Sequence, residues 1–139
     1  MTRHEWQRKA RDFSVSAKVL LENGQFDSAY YLVGIAVECA LKAKIVRRFR
    51  ASTLPDKKLV NDIYRDGHEL GRLIHHAQLA DLLAIEERQS ATFKANWAIV
   101  QAWQVDARYK RWSEVQARDM VEAVTSRGTG VLSWTGRHW

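Results

Sequence analysis

The sequence predicts an all-α protein, an up-and-down bundle of four to six helices. Two observations carry that expectation. Apolar residues recur at helical spacing along most of the chain, and no segment shows a convincing period of two. One proline and seven glycines in 139 residues leave few breaks in long helices. That length suits one ordinary domain, and 46% hydrophobic residues are enough for a core without disulfide or metal staples.

The elements follow in order. Trp6, Ala10, Phe13, Ala17, Leu20 and Leu21 form one face of an amphipathic helix over residues 3–22, ended by Asn23-Gly24. A second helix is expected from Asp27-Ser28, an acidic and hydroxyl pair suited to a helix start. Through Ala43 it is apolar almost all round, which marks it as the buried central helix. Lys44, Arg47, Arg48 and Arg50 complement the dipole at its end. A loop around Pro55 leads to a short helix, Lys57 to Arg65, broken by Asp66-Gly67. Residues 68–88 read as two short helical pieces, and a further helical region runs from Thr92 to Trp103. The final helix is expected to start near Asp106 and to carry Tyr109, Trp112, Val115, Met120, Val121 and Val124. Residues 1–125 thus form the bundle. Residues 126–139 begin with a flexible joint and end in a tail too apolar to float free, expected to pack on the bundle or on a partner.

The formal net charge is +6, which favours polyanions such as nucleic acid or nucleotides and also aids solubility. Cys39 is alone, so no internal disulfide can form, which fits a reducing cytoplasm. No apolar run approaches the roughly 20 residues that span a bilayer. The N-terminus opens into a charged helical pattern rather than a signal peptide, so a cytoplasmic location without membrane contact is expected.

The block from Ala17 to Gly34 and its continuation Ile35-Ala36-Val37-Glu38-Cys39-Ala40-Leu41-Lys42-Ala43 resembles the entry into HEPN domains. His68-Glu69-Leu70 resembles the family's His-acidic-Leu signature, and Trp103 followed by Arg108-Tyr109 its Trp…Arg-Tyr stretch. The close, Gly130-Val131-Leu132…Trp134…Arg137-His138-Trp139, resembles small stand-alone bacterial members. The resemblance covers nearly the whole chain. It implies a helical bundle that often dimerises, in prokaryotic defence or toxin–antitoxin settings, often beside a nucleotidyltransferase partner. In active members it implies metal-independent RNA cleavage by an Arg and a His with four to six residues between them, at the start of the last long helix. The sequence departs from that motif. Arg108 stands at the expected place, but Trp112, Ser113, Glu114 and Val115 fill its downstream window. Arg72 lies too close to His75 and His76, and Arg65 too close to His68.

The residues themselves offer several candidates. Glu38 lies in the most apolar helix, where a carboxylate needs a cation or hydrogen-bond donors. Arg108 is the expected partner, either fixing helix register or being oriented towards a phosphate. His68 could serve as an acid–base group near neutral pH or cap a helix. If Glu38, His68 and Arg108 converge, they form a non-standard phosphate site. Arg108-Tyr109-Lys110-Arg111-Trp112 mixes cations and aromatics, as phosphate contacts and base stacking require, although Tyr109 and Trp112 could instead be core. Lys42, Lys44, Arg47, Arg48 and Arg50 form a second basic cluster, for phosphate contacts or simply a solvated helix end. His75 and His76 point about 100° apart on a helix and do not chelate together, so no metal is expected. Gly24 and Gly67 form no phosphate-cradling loop, Cys39 is expected to be an inert thiol, and no cofactor is expected. Trp134 and Trp139 favour homodimer packing, with a tail folded back on its own helices as the rival.

The sequence therefore leads to a dimeric HEPN-type nucleotide- or RNA-binding module without the standard nuclease pair. The alternatives are a ribonuclease toxin using His68 with Arg108, and a purely structural subunit of a larger complex.

Overall fold

A computed structural model describes residues 1–49 and 57–139. Arg50 and the loop around Pro55 lie outside the described residues. The order is α1 (Arg3–Glu22), α2 (Phe26–Phe49), α3 (Lys57–Asp66), α4 (Leu70–His76), α5 (Ala80–Gln89), α6 (Ala91–Gln101), a 3₁₀ turn (Val105–Tyr109), α7 (Glu114–Thr125) and α8 (Val131–Gly136). Among the described residues there is no strand, and the all-α class stands. Among the described residues the eight α-helices exceed the expected four to six; the two pieces in residues 68–88 are there as α4 and α5, and the C-terminal segment adds a helix of its own. No described helix is long and apolar enough to cross a membrane.

Local chemistry explains the borders. Thr2 and Glu5 form a reciprocal capping box at the start of α1. Gly24, at φ 74°, takes the left-handed conformation that turns the chain from α1 into α2. Ser90 caps α6 through the Phe93 amide.

The last long helix starts later than the sequence suggests. Ser113 and Gln116 form a second capping box, so α7 begins at Glu114 rather than near Asp106. The apolar pattern was misleading here, because Tyr109 and Val115 are exposed. Trp112 does pack, its ring stacked on Tyr30 with centroids 3.6 Å apart. The Asp27 carboxylate accepts the Trp112 amide and ties the start of α2 to the approach to α7.

α2 is the axis of the fold. Twelve of its 24 residues are buried, and α1, α4, α7, α8 and the 3₁₀ turn all pack on it. Val33, Val37 and Leu41 meet Leu70, Leu73, Phe93, Trp97, Val100, Met120, Val124 and Trp134 in one core. A smaller cluster joins Ala10, Cys39 and Ala40 to Trp6, Phe13 and Trp139. α8 packs on α7, α2 and α6, with Trp134 1% exposed.

Gly34 decides how α6 ends against α2. A Cβ built there would lie 2.1 Å from Trp103 Nε1, so only glycine lets the buried indole rest on the helix. That contact positions Trp103 and the residues after it beside α4.

Candidate functional site

Glu38 projects from the middle of α2 and is 5% exposed. Its two oxygens are divided between two partners. Oε1 receives Lys42 Nζ at 2.7 Å, one helical turn on, and Oε2 meets His68 Nδ1 at 3.0 Å. Arg108 does not fill the expected role. It lies on the exposed 3₁₀ turn, its guanidinium 4.7 Å from the Tyr109 ring centroid. Lys42, on the same helix as Glu38, supplies the cation without any need for an arginine from another element. Of the expected convergence, the fold brings together Glu38 and His68 and leaves Arg108 out.

His68 follows Gly67 and precedes α4 by two residues, with 56% of its side chain exposed. In the neutral ring, a proton on Nδ1 donated to Glu38 leaves the Nε2 lone pair free. The imidazole borders two cavities. One is a cleft of mixed lining, about 730 Å³, whose wall includes Arg72, His75, Gln101, Trp103, Gln104 and Asp106. The other is an apolar pocket of about 390 Å³ lined by Trp6, Ile45, Phe49 and Ile63, with Lys42 at its edge.

A second carboxylate, Asp66, was read from sequence only as a helix breaker. It is 4% exposed and collects Arg65 Nε at 3.1 Å, Arg72 Nη1 at 3.3 Å and His76 Nε2 at 3.0 Å. Hydrogen bonds from Arg65 and His76 hold its carboxyl well below the usual carboxylate range, against the opposing effect of burial. Arg65 in turn is raised by its bond to Asp66. The three partners lie at separations of one, six and ten residues and on two helices, so no sequence spacing announces the group. Asp66 and Glu69 together orient Arg72, whose Nε meets Glu69 Oε2 at 2.8 Å. His75 and His76 diverge as helix geometry requires: His75 faces the cleft and His76 turns to Asp66.

The remaining candidates scatter. Lys110 pairs with Asp106 at 3.5 Å, and Arg111 borders a small depression at the start of α2. Arg47 is exposed at the end of α2, while Arg48 reaches the His76 carbonyl at 2.7 Å. Burial pushes the Cys39 thiol up to about 11, so it is protonated and unreactive near neutral pH. Among the described residues, no group of three or more His, Cys, Asp or Glu could hold a metal ion.

Comparison with known proteins returns one match. The model of the HEPN domain matches residues 4–137, nearly the whole chain and including α8. No curated protein and no solved structure matches significantly. An all-helical bundle built around α2, together with a family match over this span, means that the chain belongs to the HEPN domain family.

Proposed function

We propose that the protein is a nucleotide- or RNA-binding interaction module of a defence or toxin–antitoxin system, and that its ligand seats a phosphate in the cleft beside His68, Arg72 and His75. The observation that carries this reading is the pre-set orientation of Arg72. Asp66 and Glu69 hold Nη1 and Nε, and the guanidinium's five N–H donors exceed what those two bonds consume. A forked cation fixed in this way suits phosphate. Gln101 and Gln104 add amide donors and acceptors on the facing wall.

Binding without cleavage is favoured because Arg108 has no histidine in its downstream window. A homodimer and a nucleotidyltransferase partner accompany the proposal. Val15 and Val19, one turn apart on α1 and 61% and 52% exposed, offer an apolar strip to a second copy. Calorimetry with ATP, and fluorescence anisotropy with labelled RNA in metal-free buffer, test the cleft. Arg72→Ala is expected to weaken binding about tenfold, the loss of one charge-assisted contact. Wild-type protein that binds neither probe would remove the reading.

One observation favours a second reading, a metal-independent ribonuclease. The Glu38–His68 pair has the form of a carboxylate orienting an imidazole for proton transfer. In this reading His68 Nε2 takes the proton of a ribose 2′-hydroxyl, whose oxygen bonds to the adjacent phosphorus as the P–O5′ bond breaks and water protonates the departing oxygen, while Arg72, on the wall of the same cleft, holds the phosphate in place of Arg108. Labelled total RNA incubated without metal decides it. Cleavage by the wild type and not by His68→Ala would replace the binding module with an enzyme.

A further inference from the structure

The cleft does not end in neutral surface. His75 faces it, and the carbonyl of the next residue, His76, accepts Arg48 Nη1 at 2.7 Å. Arg48 stands at the end of α2 with Arg47 beside it and Lys44 one turn before. Arg47 Nη1 reaches the His138 carbonyl at 3.4 Å, which brings the end of α8 and the following residues alongside. Arg137 continues the line, paired at 3.1 Å with Glu86. The cations sense one another: burial first, then Arg47 and Arg48, holds Lys44 below its ordinary value, and burial, Arg137 and Lys44 do the same to His138. Glu86 opposes this on His138, and Arg137 already partners it.

So much like charge brought together by folding is a local cost, and a polyanion would relieve it. Charged tips form most of the strip, with His138 and Trp139 half-buried at its α8 end, where a base could stack. A phosphate backbone is held by such cations alone.

We propose that a single-stranded RNA seated in the cleft continues over the strip formed by Arg48, Lys44, Arg47 and Arg137, so that the ligand is a polynucleotide rather than a mononucleotide. The inference rests on the cleft reading for its starting point, but the strip is tested separately. Single strands suit it because a flexible backbone can follow a curved line from α4 over the end of α2 to α8.

The test uses the full chain, uridine monophosphate and a labelled dodecauridylate. The dodecamer is expected to bind at least tenfold more tightly than the mononucleotide. The double variant Arg47→Ala, Arg137→Ala is expected to remove that advantage and leave mononucleotide binding unchanged. Its log–log salt slope should fall by about 1.4, since each phosphate contact on a single strand contributes about 0.7. Arg47→Lys, Arg137→Lys keeps the charge and should keep the slope, which separates contact loss from damage to the fold. Equal affinity for the two probes, or an unchanged slope in the alanine variant, would overturn the strip, and so would competition by oligoglutamate as effective as by RNA. A dodecamer that binds with a strip-dependent slope while uridine monophosphate does not bind would uphold the strip and discard the cleft.

Discussion

Glu38 and Asp66 are both buried carboxylates, each joined to a histidine and to basic side chains, yet they do opposite things. Asp66 is saturated. Arg65, Arg72 and His76 close round it, and the side chain of His76 is only 15% exposed. Glu38 has one cation, Lys42, and a histidine whose far side opens on both cavities. A saturated carboxylate fastens α3 to α4. A carboxylate that holds one edge of an exposed ring orients that ring and leaves its other nitrogen available. Within one small bundle, the number of donors around each acid separates a clamp, which also sets Arg72, from a carboxylate that orients an open imidazole.

The comparison can be broken at Glu38 first. Glu38→Ala leaves Lys42 half-buried without its anion, and removing one partner of a buried pair costs about 3–5 kcal/mol. Denaturant unfolding is expected to show most of that loss, with Glu38→Gln retaining more stability because its amide still accepts from Lys42. Equal stability of Glu38→Ala and wild type would mean that the pair is solvated and the contrast with Asp66 false.

The second test is pH. The folded carboxyl of Asp66 is depressed, so its contribution is fully present above the unfolded value of about 3.9 and is lost as pH falls through the folded value. Asp66→Asn should therefore be less stable than wild type at neutral pH, with the gap narrowing as the medium becomes strongly acidic. A constant gap at all pH values would show that shape, not charge, holds the α3–α4 corner.

The smallest effect is expected at His68. Its bond to Glu38 is half-buried, but Lys42 still holds the carboxylate, so His68→Ala should lose only about 1 kcal/mol, one hydrogen bond. That near-neutrality lets binding and cleavage data on this variant be read without correction for unfolding. A large loss of stability would make His68 a second clamp.

Much of the fold was legible before any coordinates. The apolar run of α2 and the periodic face of α1 are decided by local composition, and both helices appear where the pattern places them. The start of α7 was not legible, because Tyr109 and Val115 carry the right spacing but face solvent, while the capping residues Ser113 and Gln116 set the border. At the site, Glu38 and His68 could be singled out by a carboxylate in an apolar helix and a histidine after Gly67. Their pairing could not, since thirty residues separate them. Choosing Arg108 as Glu38's partner failed because a nearer cation, Lys42, lay on the same helix one turn away.

The sequence by itself determined the all-helical class and the central place of α2, since periodicity and capping are local and short-range terms select them; the family was carried by its residue motifs instead. Tertiary structure alone decided that Asp66 gathers Arg65, Arg72 and His76, that His68 rather than Arg108 meets Glu38, and that cations from α2 and the end of α8 form one strip. Those groupings depend on how helices far apart in the chain pack, and that packing is set by volume. Gly34 shows the reason: a missing side chain admits an indole, and the indole places the wall of the cleft.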